Sequence, residues 1–195
     1  LVRAQSISLG TVTLDTIRDA FGELVVTEQF LEQIGPALNS GRAMLLYGPP
    51  GNGKTSVAHC ISRIFNDVVH IPHAVLVGGN IIRVFDPNLH VCPQVPVDGA
   101  EAAGVSLRRA EAADSRWVTC VRPLIVTGGE LTLEMLDLRF NAVANFYEAP
   151  LHVKALGGCF VIDDFGRQLV PPASLLNRWI VPLENRIDYL TLHTG

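Results

Sequence analysis

The sequence predicts an α/β domain in which helices cover both faces of a mainly parallel β-sheet, giving three layers. Short apolar runs that suit buried strands occur at residues 43–47 and 159–163. Segments with helical spacing of apolar residues occur at 12–21 and 54–65. Strands and helices alternate along the chain, and this order is typical of parallel sheets with crossover helices.

In the first part of the chain, residues typical of helix caps, helix ends and turns mark the boundaries of the predicted elements. Thr13 or Asp15 suits the N-cap of the first helix, and Gly22 ends it. Thr27 suits the N-cap of a second helix, in which Pro36 is expected to cause a kink or a split. After the strand 43–47 and the helix 54–65, two further strands are predicted around the turn Gly78-Gly79-Asn80.

The second part begins with a stretch rich in Pro, Gly and Ala at 86–116, which we interpret as an insertion that is partly helical near 106–113. The elements expected after it are a strand from Trp117, a helix in "LTLEMLDLRF", a strand in "APLHVKA", the strand "CFVID", a helix capped by Ser174 and interrupted at Pro182, and a strand in "IDYLTL". We therefore predict a linker and helix at 1–22 and one core domain at 23–195.

Composition narrows the class of protein. No apolar run approaches the roughly 18 residues that a membrane span needs, and the net charge of −4 gives no indication of nucleic-acid binding. The four cysteines form no C-x-x-C pair, which indicates reduced thiols in a cytoplasmic protein. His70 and His73 would face opposite sides of a strand, so we predict no zinc site.

A glycine-rich loop lies between the predicted strand at 43–47 and the helix at 54–65. It matches G-x-x-x-x-G-K-[ST] at every fixed position. Such glycines let main-chain N–H groups surround a phosphate, and the positive end of the next helix adds to the attraction. Lys54 would meet the β- and γ-phosphates, and the Thr55 hydroxyl would bind Mg²⁺. A glycine-rich turn without function is the alternative. The residues expected at the nucleotide are Gly48, Pro49, Pro50, Gly51, Asn52, Gly53, Lys54, Thr55 and Ser56.

The stretch "FVIDDFGRQ" at 160–168 permits two interpretations. Asp164-Phe165-Gly166 is the metal-binding tripeptide of protein kinases, but the sequence has no G-x-G-x-x-G loop and no H-R-D tripeptide. A buried strand that ends in two carboxylates suits the phosphate loop better. We expect Asp163 to contact Mg²⁺, directly or through water, and Asp164 to orient or deprotonate the attacking water. Two solvated carboxylates at a strand end are the alternative without function.

With these two motifs the sequence resembles the AAA+ ATPases. "LLYGPPGNGKTSVA" is similar to the Walker A motif of that family, and "GGCFVIDDFG" is similar to Walker B. The stretch "EAPLHVKALGGCFVIDD" most resembles the chelatase and MoxR-like branch. The resemblance implies ATP and Mg²⁺ as cofactors, and a ring, usually of six subunits, that remodels another macromolecule. It also places Val25 and Val26 where the family's linker contacts adenine, although core packing explains both residues equally well.

The sequence departs from the family pattern at Walker B and in length. Asp164 stands where family members usually carry Glu, so hydrolysis is expected to be slow. Thr55 and Asp163 are 108 residues apart, whereas two βαβ steps need about 60, which implies an insertion of about 50. By resemblance, sensor 1, the arginine finger and the helical lid would follow residue 195. This chain would then bind nucleotide, hydrolyse it poorly and oligomerise weakly, unless Arg178 or Arg186 acts as the finger.

Three functions are compatible with these motifs. The first is an AAA+ module that uses ATP hydrolysis to remodel a macromolecular partner. The second is a small P-loop kinase, which the tandem acidic pair disfavours because a water activator suits hydrolysis. The third is a nucleotide-gated binding or scaffold protein with little turnover, which the change to Asp164 favours.

Overall fold

The computed structural model describes residues 2–6, 12–49, 51–65, 67–93 and 114–192. Its helices and its parallel and antiparallel strand pairs confirm the predicted α/β class, which is consistent with a P-loop NTPase domain. The helices of the described ranges are α1 (Leu14–Phe21), α2 (Glu28–Asn39), α3 (Lys54–Ile64), α4 (Leu151–Lys154) and α5 (Pro172–Asn185), with 3₁₀ turns at Val2–Gln5 and Leu133–Leu136.

The strands that are described form three small sheets. They are β1 (Val68–Pro72), β2 (Ala74–Val77), β3 (Asn80–Arg83), β4 (Trp117–Val121), β5 (Leu124–Thr127), β6 (Arg139–Asn141), β7 (Phe146–Glu148) and β8 (Cys159–Ile162). One sheet pairs β1 with β4 in antiparallel fashion, one has the order β2-β3-β7-β6, and one pairs β5 with β8 in parallel. The pair β3–β7 is also parallel, so parallel pairing occurs in two of these three sheets.

Helices α1, α2 and α3 pack around one apolar cluster. The side chains of Thr13 and Thr27 accept hydrogen bonds from main-chain N–H groups at the starts of α1 and α2, as the sequence predicts. α2 runs unbroken through Pro36, so the expected split does not occur. The buried members of the cluster are Ile17, Phe21, Leu31, Ile34, Leu38, Val57, Cys60 and Ile61. Because α3 follows the glycine-rich loop, this cluster fixes the direction in which the loop enters its helix.

The region around β8 is held from several sides. Arg122, which joins β4 to β5, has a side chain that is only 7% exposed. Its guanidinium donates hydrogen bonds to the carboxylate of Asp67 and to the main-chain oxygens of Gln5 and Gly157. Gly157 lies two residues before β8, so these bonds fix the chain where it enters the strand that carries the acidic pair.

Several predictions for local structure were wrong. Ser174 does not cap α5, which begins at Pro172 after the N-cap residue Pro171, and α5 continues through Pro182 without interruption. Residues 43–47 form no strand, and Leu45 and Tyr47 are 78% and 90% exposed, because no described strand pairs with them. Residues 187–192 form no strand either. "LTLEMLDLRF" holds a 3₁₀ turn and β6 instead of a helix. "APLHVKA" contains the short helix α4, in which the main-chain oxygen of Pro150 accepts bonds from Val153 and Lys154.

The predicted insertion at 86–116 is described only at its two ends. Residues 86–93 and 114–116 belong to the described part, whereas the helical segment expected near 106–113 lies outside it. The first end is well anchored. His90 is buried, its Nδ1 accepts a hydrogen bond from the main-chain N–H of Asp86, and its Nε2 donates to the main-chain oxygen of Lys154.

Candidate functional site

The glycine-rich loop has the backbone shape that its sequence predicts. Gly51 and Gly53 have φ angles of 83° and 67°, a left-handed region that residues with a Cβ rarely adopt. Gly53 is the N-cap of α3, and no side chain caps that helix end. The first N–H groups of α3 therefore remain available to an anion, which the helix dipole attracts. Pro50 lies outside the described residues.

Lys54 lies over this loop. Its Nζ donates hydrogen bonds to the main-chain oxygens of Gly48 and Pro49, at 3.1 and 2.9 Å. The positive charge is therefore held at the mouth of the loop instead of pointing into solvent. Asn52 and Ser56, which were also predicted to meet the nucleotide, are exposed on the same segment.

The structure brings Thr55 and Asp163 together across 108 residues of sequence. The Thr55 hydroxyl donates a hydrogen bond of 2.6 Å to Oδ2 of Asp163, and the main-chain N–H of Asp164 donates to Oδ1 at 2.8 Å. These two bonds, with the charges of Lys54 and His59, hold the pKa of Asp163 below its usual value. The carboxylate is therefore ionised at neutral pH.

Asp163 owes its position to the parallel pair β5–β8. It directly follows β8, and its N–H donates a 2.7 Å hydrogen bond to the main-chain oxygen of Thr127 at the end of β5. Thr127 is buried, and its hydroxyl donates to the main-chain oxygen of Val161. The two strands therefore end in register, and Asp163 lies at their carboxyl edge, where α/β proteins usually bind ligands.

This set of oxygens fits Mg²⁺. Mg²⁺ is usually held by one or two protein oxygens together with phosphate oxygens and water, so a hydroxyl and a carboxylate are sufficient. Within the described ranges no cluster of three or more His, Cys, Asp or Glu residues could form a metal site made of protein ligands alone. A metal at Thr55 and Asp163 would therefore depend on a phosphate ligand as well.

Asp164 and the turn after it adopt a strained but supported conformation. Asp164 has a φ angle of 50°, which Asp tolerates better than most residues with a Cβ. Its side chain is exposed, with Arg167 3.8 Å away. Its main-chain oxygen accepts a hydrogen bond from the N–H of Arg167, which closes a tight turn around Phe165 and Gly166.

Gln168 fixes this turn, a role that the sequence analysis did not predict. The side chain is buried. Its Nε2 donates to the main-chain oxygens of Asp163 and Asp164, at 2.8 and 3.3 Å, and its Oε1 accepts from the N–H of Gly166 at 2.8 Å. An amide placed two residues after a glycine turn was the only signal in the sequence. One side chain thus ties both acidic residues to the glycine that follows them.

We expect Gln168→Ala to lower ATP turnover by up to about 100-fold, because a displacement of roughly 1 Å at reacting groups can have an effect of that size. Binding of ATP should change little, since the hydrogen bonds of the Gln168 side chain go to Asp163, Asp164 and Gly166. Steady-state kinetics and nucleotide titration would separate the two effects. Gln33→Ala, an exposed change on α2, serves as the control. Equal turnover in Gln168→Ala and Gln33→Ala would contradict the positioning role.

The remaining candidate site residues are Val25 and Val26, expected at adenine, and Arg178 and Arg186, considered as arginine fingers. The side chain of Val25 is fully exposed, and Val26 packs against the helical cluster, so their contact with adenine stays a prediction. Arg178 is occupied within the chain: its guanidinium donates to both carboxylate oxygens of Asp188 and to the main-chain oxygen of Leu136. Arg186 ends α5 in a left-handed conformation.

Comparison with known proteins gives two similar sequences, both named proteasome-activating nucleotidase. The protein from Methanospirillum hungatei is 28% identical over 193 residues, which cover 91% of this chain and 42% of the relative. The protein from Methanoregula boonei is 25% identical over 193 residues, which cover 93% of this chain and 40% of the relative. No protein-family profile matches the chain.

The chain spans about two fifths of the length of these relatives. Because the first match covers 91% of the chain, it spans both the glycine-rich loop and the acidic pair wherever it begins. In the part of the chain that the structure describes, no helix is both long and apolar enough to cross a bilayer.

Proposed function

We propose that this chain is a Mg²⁺-dependent ATPase module related to the AAA+ ATPases. The observation that carries the proposal is the 2.6 Å hydrogen bond between the Thr55 hydroxyl and the Asp163 carboxylate. It joins the start of the helix after a phosphate loop to the end of an acidic strand, which is the pairing that holds Mg²⁺ in P-loop hydrolases. The similarity to two proteins named nucleotidase supports the same class.

The residues have separate roles in this proposal. The N–H groups at residues 51–55 and the Nζ of Lys54 bind the phosphates, and Thr55 and Asp163 hold Mg²⁺. The metal would neutralise charge on the phosphate oxygens. Asp164 would accept a proton from the attacking water, because its exposed carboxylate directly follows the proposed metal ligand Asp163. Gln168 holds Asp163 and Asp164 in the orientation that this reaction needs.

The wider context of the module is also proposed. We assign residues 23–195 to the ATPase core and 1–22 to a linker, although α1 packs in the same cluster as α3. From the likeness to AAA+ proteins we also propose a homo-oligomeric ring of six subunits, a macromolecular partner and a cytoplasmic location. We do not extend the proposal to the chelatase and MoxR-like branch, because the stretch "APLHVKA" forms α4 instead of a strand.

A second candidate function, a nucleotide-gated binding protein with little turnover, is favoured by Asp164 itself. Its carboxylate is one methylene shorter than the usual Glu, and it lies on a residue with positive φ. Both features could leave the carboxylate too far from the water for rapid proton transfer.

The test of the proposed function is release of orthophosphate from ATP by the purified protein, with Mg²⁺ and with excess EDTA. Release that depends on Mg²⁺ supports the ATPase. Tight binding of ATP without release would select the nucleotide-gated binding protein. A phosphorylated product without orthophosphate would select the kinase.

We expect Lys54→Ala to weaken ATP binding by about 10- to 100-fold, the range that corresponds to losing charge-assisted hydrogen bonds of about 1.5–3 kcal/mol. The change removes the positive charge held at the loop by Gly48 and Pro49. Titration with a fluorescent ATP analogue measures the dissociation constant directly.

Arg63→Ala is the matched control for Lys54→Ala. It also removes a cation from α3, but at the far end of the helix, where Arg63 pairs with Glu23 in solvent. ATP affinity should therefore be unchanged in Arg63→Ala. If both variants bind ATP as the wild type does, Lys54 has no role at the phosphates.

A further inference from the structure

Cys92 is held in a fixed position although its side chain is exposed. It follows the buried residue His90, whose two ring nitrogens bond to Asp86 and Lys154. The ring of His90 also stacks on Phe85, with centroids 5.4 Å apart. The main chain is therefore anchored two residues before Cys92.

Val91, which lies between His90 and Cys92, attaches this segment to β4. The N–H of Val121 donates a 2.8 Å hydrogen bond to the main-chain oxygen of Val91. Cys92 and Cys120 each adjoin one partner of this bond, so the two cysteines lie beside each other on neighbouring chain segments. The thiol of Cys120 is completely buried and donates a hydrogen bond of 3.7 Å to the main-chain oxygen of Val118, and Cys92 is close enough to raise its pKa.

We propose that Cys92 and Cys120 form a reversible disulfide, so that this pair is an oxidation site of the protein. Cysteines can be bridged only when their Cβ atoms lie about 3.5–4.5 Å apart, and side chains opposite each other on neighbouring strands come close to this range. Because the main-chain bond between Val121 and Val91 lies one residue from each cysteine, the two thiols need little movement to meet. The bond would close the loop 92–120 and fasten the segment 86–93 to β4.

The surroundings assign different roles to the two sulfurs. Burial and the neighbouring Cys92 raise the pKa of Cys120 to about 12, so its thiolate is scarce near neutral pH. The exposed Cys92 is therefore the sulfur that meets an oxidant first. With hydrogen peroxide, the Cys92 sulfur attacks one oxygen and becomes a sulfenic acid, and water leaves.

The second step uses the buried partner. The Cys120 sulfur attacks the sulfenic sulfur of Cys92, the S–S bond forms and a second water leaves. In total two thiols and one peroxide give one disulfide and two waters. Because Cys120 must lose its proton, we expect the second step to accelerate as the pH rises from 7 to 9.

The other two cysteines provide internal controls. Cys60 is buried in the helical cluster, and Cys159 is partly buried in β8. Burial raises the pKa of Cys159, which lowers its reactivity near neutral pH. Cys60 lies in α3 and Cys159 in β8, apart from the segments that carry Cys92 and Cys120, so both should remain free under an oxidant dose that joins Cys92 to Cys120.

The experiment treats the purified protein with hydrogen peroxide, blocks the remaining thiols with iodoacetamide and digests with trypsin without reduction. Cleavage after Arg83, Arg108, Arg116 and Arg139 places Cys92 in peptide 84–108 and Cys120 in peptide 117–139, because trypsin does not cut between Arg122 and Pro123. We expect these two peptides as one linked species that dithiothreitol separates. Cys92→Ser should lack the linked species, whereas Cys159→Ser should form it as the wild type does.

Three results would overturn the proposal. One is Cys92 recovered as sulfinic or sulfonic acid without any linked peptide. Another is a disulfide between two copies of the chain through Cys92. The third is a disulfide that joins Cys120 to Cys60 or to Cys159 in the wild type. Because Cys92 is exposed, Cys92→Ser should fold, and a circular dichroism spectrum equal to that of the wild type would verify this.

Discussion

Asp164→Asn should leave ATP binding unchanged and lower ATP turnover by roughly 10²- to 10⁴-fold, the usual contribution of a general base. The substitution keeps the size and the shape of the side chain, and Asn tolerates the positive φ of this position as well as Asp does. It removes only the ability to accept a proton from water. Orthophosphate release and nucleotide titration on the same preparation would measure both quantities.

Glu184→Gln is a suitable control, because it neutralises an exposed carboxylate on α5 without touching the acidic strand. Its turnover should equal that of the wild type. Unchanged turnover in Asp164→Asn would remove this residue from the catalytic role. A variant with Glu at position 164 should be faster than the wild type if the missing methylene is what limits proton transfer.

Lys154→Met should lower the free energy of unfolding by about 3–5 kcal/mol, because it leaves the largely buried carboxylate of Asp86 without its bonded cation and leaves Glu148 with Arg83 alone. The Lys154 side chain is 8% exposed, and its Nζ donates to Asp86 at 2.8 Å and to Glu148 at 3.2 Å. Burial opposes ionisation of Asp86, but the bond from Lys154 and other contacts still hold its pKa below the usual value. Unfolding in urea, followed by circular dichroism, would give the change.

Arg116→Met is the matched control for Lys154→Met. It also removes a cation next to a carboxylate, but Arg116 and Asp114 are 83% and 43% exposed. Exposed pairs typically contribute less than about 1 kcal/mol. A Lys154→Met protein that unfolds at the same urea concentration as Arg116→Met would show that the buried pairs add no net stability.

The parts of the fold that depend on local sequence signals were predictable. Thr13 and Thr27 indicate the starts of α1 and α2, because a threonine just before a helical apolar stripe is a favoured N-cap residue. The two motifs were equally readable, and the predicted meeting of Thr55 and Asp163 is present in the structure.

The parts that depend on distant partners could not be read from the sequence. Residues 43–47 have the composition of a buried strand, but a strand forms only where another strand pairs with it. Residues 151–154 alternate like a strand, yet Pro150 precedes the first turn of α4, and Lys154 bonds to the carboxylate of Asp86, 68 residues earlier in the chain. Gln168 escaped notice because its role comes from three main-chain bonds that the sequence does not display.

The bond between Thr55 and Asp163 has a thermodynamic consequence for ion binding. Two oxygens that are 108 residues apart in sequence can meet only if the chain loses conformational entropy. That entropy is already lost when the protein folds. An ion bound there as proposed would encounter a preorganised pair, and its affinity would not include the work of assembling it. The affinity for the ion would then depend on how constant the distance between Thr55 in α3 and Asp163 after β8 remains. A substitution that loosens either element should weaken magnesium binding before it lowers the melting temperature measurably.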